Sequence, residues 1–223
     1  MDSRPPRDDV RAVLWDLDGT LIDSRELHWL AWREALRAEA FILTPDQFAR
    51  DFGRRNDEIL RGHFGDDLPA NEIDRIATTK EVYYRRLVGE RGIELLPGAR
   101  HWLERLAAEG WRQTLATSAP RANVEAIVAA LALETLLAAF VSAEDVERGK
   151  PDPQVFLAAA AKAGAPPWRC IVVEDAPAGV EGGRRAGMRT IGVLTTHAAL
   201  DADVVVRSLS DLPPDAFERL LDR

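Results

Sequence analysis

Apolar positions in this chain follow two rhythms. Short apolar-rich runs lie at 10–16 (VRAVLWD), 112–118 (RQTLATS), 140–145 (FVSAED), 170–175 (CIVVED), 189–194 (RTIGVL) and 203–206 (DVVV). Such runs predict strands buried on both faces. Between them, 98–109, 121–132, 153–163, 177–186 and 213–222 carry helical patterns. Pro153 and Pro177 stand where a first helical residue would, and Asp152 is a candidate N-cap. Strands alternating with helices of this length predict a parallel sheet covered on both faces.

Residues 23–93 break the rhythm and contain no convincing strand. Trp29, Trp32 and Leu36 recur at helical spacing, as do Ile73, Ile76 and Ala77, and more loosely Val82, Tyr83 and Leu87. Thr44-Pro45-Asp46 reads as a helix start. The expected fold is α/β. A Rossmann-like parallel-sheet core at 1–22 and 94–223 is interrupted by an all-helical insertion at 23–93, with no repeats and no low-complexity tract.

The chemistry gathers at the ends of the apolar runs. Asp16 and Asp18 lie two apart, so in an extended segment both side chains leave on one side. At about 5 Å and an effective dielectric of about 20 their repulsion is roughly 3 kcal/mol. The run at 170–175 also ends in acids, Glu174 and Asp175. If the two strands are neighbours, four carboxylates converge at the carboxyl edge, where open α/β sheets bind ligands. That cluster calls for a cation. Oxygen ligands only, with no His or Cys expected nearby, point to Mg²⁺. Thr117 and Ser118 end another strand, and Lys150 follows a fourth. A cation, a hydroxyl and Mg²⁺ around a nucleophilic carboxylate make a receptor for a phosphoryl group.

Singly, each signal has a plainer meaning. Asp-Gly-Thr is a turn, Glu-Asp a helix cap, Lys before Pro a solvated loop residue, and Thr-Ser at a strand end a turn. Four of them in order at four strand ends favour a site. Other motifs fail: the residue five before Gly149 is Glu144, so there is no phosphate-binding GxxxxGK[ST], and "GVEGGRRAG" lacks dinucleotide-binding spacing.

Composition sets limits. The 223 residues are 46% hydrophobic, enough for a full core plus a subdomain. Net charge is −8 with no basic stripe, which argues against nucleic acid as a main partner. No apolar run has membrane-spanning length. The start, "MDSRPPRDD", reads as a short disordered tail without the apolar middle of a secretory signal, so a cytoplasmic protein is expected. The lone Cys170 reads as a small buried hydrophobe.

These residues resemble the haloacid dehalogenase-like superfamily of aspartyl phosphotransferases, with "DLDGT" (16–20), "TS" (117–118), "GKP" (149–151) and "VEDAPAGV" (173–180) matching its four motifs in order. Within it the chain looks like the β-phosphoglucomutase and sugar-phosphatase subgroup, and the insertion like that family's helical cap. The resemblance implies Asp16 as nucleophile and Asp18 as general acid and base. It implies that Thr117 and Lys150 hold phosphate, and that Asp16, the Asp18 carbonyl, Glu174 and Asp175 hold Mg²⁺. It also points to Ser118, His28, Arg54, Arg55, Asn56 and Lys80 on the substrate side. Mutases of the subgroup carry Gly-x-x-Arg where this chain has Gly53-Arg-Arg-Asn56, which weighs against mutase activity. His28 and Lys80 match mutase residue types and weigh the other way.

The expectation is a monomeric, Mg²⁺-dependent phosphatase of a small sugar or polyol phosphate. A phosphohexomutase is the first alternative, and a catalytically silent ligand-binding regulator the second. The intact acid set argues against silence. A phosphonate hydrolase with Lys80 as a Schiff-base lysine is disfavoured.

Overall fold

The computed structural model describes residues 9–222. Eight residues of the expected N-terminal tail, 1–8, lie outside that range. In chain order the elements are β1 (Ala12–Trp15), α1 (Arg25–Ala38), α2 (Pro45–Asp51), α3 (Asn56–Phe64), α4 (Ala70–Arg91), α5 (Ala99–Ala108), β2 (Arg112–Ala116), α6 (Arg121–Ala130), β3 (Ala139–Val141), α7 (Gln154–Ala163), β4 (Cys170–Glu174), α8 (Pro177–Arg185), β5 (Arg189–Val193), β6 (Val204–Val206) and α9 (Ala216–Leu221).

The six strands form one parallel sheet in the order β3-β2-β1-β4-β5-β6. β1 is central, with Trp15 opposite Leu115 on one side and Val173 on the other. Its four residues alternate between two apolar clusters. Val13 and Trp15 pack with Leu103, Leu115, Val173 and Phe217, whereas Ala12 and Leu14 pack with Val155, Phe156 and Val172. Burial on both faces explains why this strand reads as a continuous apolar run. The Trp15 indole N–H donates to Gln113 Oε1 (3.0 Å), so the large ring sits in the core with its polar atom satisfied. Cys170 is fully buried, as expected of a small hydrophobe, and burial pushes its thiol up to about 12.

α1 to α4 have an apolar centre of their own: Trp32, Leu36, Leu43, Phe48, Ile59, Leu60, Ile73 and Ile76. Thr44 and Gln47 close a reciprocal cap at the start of α2, so the predicted helix start is borne out. Leu27, Ala31, Tyr84 and Leu87 join the sheet's cluster instead, so α1 and α4 reach from one centre to the other. The two chain crossings into this unit pair with each other. Ile22 bridges Leu95, and Leu96 N–H donates to Leu21 O (2.8 Å). Among the described residues no helix is long and apolar enough to cross a membrane.

Four local expectations need correction. The strand expected at 140–145 stops at Val141, because Asp145 accepts the backbone N–H and hydroxyl of Ser142 and turns 143–145 into a 3₁₀ helix. The last helix begins at Ala216, since Pro214 disfavours helical backbone at Pro213. Pro153 stands just outside α7 rather than first within it, while Asp152 Oδ1 does accept Gln154 N–H (3.0 Å). Val82 faces solvent. The buried stripe of α4 runs Ile73, Ile76, Lys80, Tyr84, Leu87, so a lysine occupies an inward position that apolar patterning skips.

Candidate active site

β1 and β4 are neighbours, and their register sets Asp16 beside Glu174 at the carboxyl edge of the sheet. Asp16 N–H continues the ladder to Val173 O (3.0 Å), which fixes where its side chain leaves. Lys150 Nζ lies between the two acids, 2.6 Å from Asp16 Oδ1 and 2.7 Å from Glu174 Oε1. Its loop is held by Gln154 Oε1, which accepts the Glu147 and Arg148 N–H groups. Glu174 Oε2 accepts the Asp175 and Ala176 N–H groups (both 2.9 Å), so the capping role read for the Glu-Asp pair is also present. A Cβ on Gly179 would lie 1.8 Å from Glu174 Oε1, so α8 can approach this carboxylate only through glycine.

Asp175 is held by hydroxyls. Thr20 donates to its Oδ1 (3.2 Å), and Thr196 to its Oδ2. Gly19, at φ +87°, would place a Cβ 2.3 Å from the same carboxylate, so the turn after β1 needs both the positive φ and the missing side chain. His197 Nδ1 lies 3.1 Å from the Asp175 carbonyl, and the residue lines the cavity. The expectation that no histidine stands close by is corrected by the fold. Thr195, Thr196 and His197 follow β5, a strand end to which the sequence reading assigns no site residue, and looking for polar side chains just after each strand would find them.

Asp16, Glu174 and Asp175 present oxygens within 4.8 Å of one another, all buried. Asp18 is not among them. Its Oδ1 accepts Ser24 Oγ–H (2.5 Å) and lies 3.1 Å from His28 Nε2, so the expected convergence of four carboxylates is three plus one turned toward α1. Thr117 is buried at the end of β2 and accepts Ala119 N–H (3.0 Å), with Ser118 beside it on the cavity wall.

The cluster is short of positive charge. Burial, with Glu174 and Asp175 adding to it, pushes the Asp16 carboxyl well above its usual value although Lys150 opposes the shift. Burial and Glu174 push Asp175 up to about 7 against Thr196, Lys150 and Thr20. Burial acts to lower Lys150, but Asp16 and Glu174 outweigh it and hold the ammonium firmly charged. Three buried carboxylates with one lysine, and oxygen donors only, fit a hard divalent cation. For Asp18, burial is outweighed by His28, Ser24 and Lys80, which leave its carboxyl below the ordinary range and ionised at neutral pH.

A pH dependence follows for the metal-free protein. The folded state keeps a proton on Asp175 up to about pH 7, whereas the unfolded chain releases it near 3.8. Between those values the native state binds more protons, so this group lowers stability as pH rises through the window. Thermal melts without metal should therefore show Asp175→Asn gaining on wild type from pH 5 to pH 8. A constant difference across that range would contradict this.

The remaining expected residues line a cavity of ≈ 280 Å³ between the sheet edge and the inserted helices, and most of them have protein partners. Arg54 pairs with Asp51 and Glu58 (both 3.4 Å). Arg55 Nη1 donates to the carbonyls of Ala143 (2.9 Å) and Val146 (3.2 Å), across to the core. Asn56 Nδ2 donates to Glu81 Oε1 (2.7 Å). Lys80 Nζ donates to Glu81 Oε1 (2.8 Å) and to His28 Nδ1 (3.0 Å). A lysine ammonium can only donate, so His28 accepts at Nδ1 and carries its proton on Nε2, toward Asp18. The Tyr84 ring stacks on His28 at 4.0 Å and fixes its plane. Tyr84 and Glu81 were not anticipated. They flank Lys80 in a helix whose polar residues otherwise read as a solvated face.

Known proteins share this architecture. The chain is 35% identical to hexitol phosphatase A of Escherichia coli over 208 residues, 91% of this chain and 93% of that one. It is 34% identical to the β-phosphoglucomutase of Bacillus subtilis over 209 residues, 91% and 92% of the two chains. The crystal structure of β-phosphoglucomutase from Clostridium difficile superposes with a TM-score of 0.86 over 96% of this chain and 97% of that one, at 24% identity, which speaks for the fold. The model of the haloacid dehalogenase-like hydrolases matches residues 10–187, a span that takes in Asp16, Asp18, Thr117, Lys150, Glu174 and Asp175. With the acids of two adjacent strand ends, the lysine between them and the inserted helices all inside that span, the chain belongs to the haloacid dehalogenase-like hydrolase family.

Proposed function

We propose that this protein is a Mg²⁺-dependent phosphatase of a small sugar or polyol monophosphate, acting through a phosphorylated Asp16. The observation that carries the choice of hydrolysis over isomerisation is the state of the cavity's far wall. Arg54, Arg55 and Lys80 are each committed to protein carboxylates or carbonyls, and Asn56 brings an uncharged amide. A mutase must hold the distal phosphate of a reversed substrate, and a bidentate arginine is the best grip for one. None of the three cations expected to bind substrate is without a protein partner, whereas Arg50, exposed on the same cavity, pairs with no carboxylate among the described residues.

At the sheet edge, the Asp16 carboxylate attacks phosphorus while the ester P–O bond breaks, and Asp18, ionised in the resting site, passes to the departing alkoxide a proton it has taken from the substrate's phosphate monoanion or kept from the water of the preceding turnover. Asp18, now ionised, takes a proton from the entering water. That water's oxygen attacks phosphorus and the Asp16 acyl phosphate releases inorganic phosphate. Lys150 and the Thr117 hydroxyl hold the phosphoryl oxygens, and Ser118 completes that wall. The Ser24 and His28 contacts hold Asp18 in the ionised form that the water step needs. Mg²⁺, held by Asp16, Glu174, Asp175 and the Asp18 carbonyl, supplies the charge that lets a phosphate anion approach three carboxylates. Residues 23–93 act as a cap that closes over the ester and limits water, turning on the paired linkers at Ile22 and Leu95.

The relatives named hexitol phosphatase and β-phosphoglucomutase support a phosphorylated carbohydrate as the substrate class. A panel of sugar, polyol and nucleoside monophosphates and phosphoglycolate, assayed for phosphate release with Mg²⁺, tests the reading. Preferred hydrolysis of sugar or polyol phosphates is expected, and no release from any of them would refute it.

A further inference from the structure

We propose that Glu81 is a positioning residue that latches the inserted helices onto the sheet core, with Asn123 as its catch. Glu81 is on α4 and nearly sealed from solvent, its side chain 7% exposed. Its Oε1 accepts Lys80 Nζ (2.8 Å) and Asn56 Nδ2 (2.7 Å), both from the inserted helices. Its Oε2 accepts Asn123 Nδ2 (2.6 Å), from the first turn of α6 in the core. Asn123 is fully buried, and its Oδ1 accepts Arg85 Nη1 (2.9 Å), again from α4. Glu81 and Arg85 are one helical turn apart, so α4 offers an acceptor and a donor in register with the two ends of a single amide. Arg85 can only donate, which fixes the orientation of that amide.

The two oxygens of Glu81 thus have different duties. One holds Lys80, which sets the His28 tautomer facing Asp18, and the other crosses to the core. If the inserted helices swing away, Lys80 and Asn56 travel with Glu81, whereas Asn123 is left behind. Docking α4 on α6 and ordering the Lys80–His28–Asp18 chain therefore share one carboxylate.

The geometry dictates a paired test. In Glu81→Gln, the new amide faces the Asn123 amide donor to donor, or Asn123 flips and meets Arg85 donor to donor, or the new amide turns its donor end on Lys80 and Asn56, so every orientation leaves one mismatched contact. In Asn123→Asp two carboxylates oppose each other at contact distance. In the double variant the carboxylate introduced at position 123 accepts from both Arg85 and the amide introduced at position 81, and every donor at the interface is matched. The experiment measures small-angle X-ray scattering of wild type, both single variants and the double variant. It also measures kcat/KM on a hexose monophosphate and on a small aryl phosphate, whose good leaving group makes less use of the cap. Both single variants should expand relative to wild type, and the double variant should return to its dimensions. Each single variant should lose about ten-fold in kcat/KM on the hexose phosphate and less on the aryl phosphate, and the double variant should recover most of that loss.

The kinetic arm rests on the proposed phosphatase reading and the scattering arm does not. A wild type inactive on the sugar phosphate would defeat that reading and leave the latch to be judged on dimensions alone. Single variants with wild-type scattering, or a double variant no closer to wild type than the worse single, would overturn the latch. Equal losses on the two substrates with unchanged dimensions would make Glu81 merely structural and overturn it as well.

Discussion

Purified Asp16→Asn should lose about four orders of magnitude or more in turnover and melt no lower than wild type. The loss follows because the amide cannot attack phosphorus and no neighbouring group takes its place. Glu174 has both oxygens occupied by Lys150 and backbone N–H groups, and Asp175 is held by Thr20 and Thr196. The stability half has a separate cause. Asn keeps an oxygen for Lys150 Nζ while removing a buried carboxylate whose own burial, with Glu174 and Asp175 adding to it, pushes it well above its usual value. Phosphate-release kinetics and a thermal melt on one preparation check both. Residual turnover within ten-fold of wild type would falsify the nucleophile assignment, and a large drop in melting temperature would show that Asp16 stabilises the fold.

Removing the divalent ion should cost about a thousand-fold or more, since charge stabilisation of several kcal/mol at the phosphoryl group is lost. Lys150 cannot substitute, because it is already shared between Asp16 and Glu174 at 2.6 and 2.7 Å. Chelator should abolish phosphate release, and Mg²⁺ in excess should restore it. Ca²⁺ should inhibit, because its longer bonds and higher coordination number disturb a site built from short, fixed carboxylates. Full activity in excess chelator would contradict the reading of the three-carboxylate cluster.

The features legible in the sequence are those governed by local rules. Short apolar-rich runs separated by helical patterns gave the sheet, and parallel-sheet geometry gave the edge at which Asp16, Thr117 and Glu174 stand. Hidden from the sequence were choices made between distant segments. Asp18 leaves the carboxylate cluster because Ser24 and His28 on the neighbouring helix compete for it, and no spacing rule near residue 18 announces that competition. Glu81 and Asn123 look like ordinary solvated residues of amphipathic helices, and they meet only where α4 docks on α6. Arg55 is expected on the substrate side, two residues after Gly53. Its partners, the carbonyls of Ala143 and Val146, belong to a stretch whose expected strand became a turn. The apolar stripe of α4 was misjudged at Val82 for the same reason: a lysine stands on the inward face, and hydrophobic periodicity cannot register a buried ion pair.

The central claim is that this site releases phosphate to water instead of returning it to the sugar. Asn56, with Arg54 and Arg55 already paired, makes that claim specific. The direct measurement is ³¹P NMR of a hexose 1-phosphate and of the matching 6-phosphate, each incubated with enzyme, Mg²⁺ and a trace of the hexose bisphosphate. The account predicts that inorganic phosphate grows in as the main product from both, with little exchange between the two esters. Conversion of one monophosphate into the other faster than phosphate appears would contradict it.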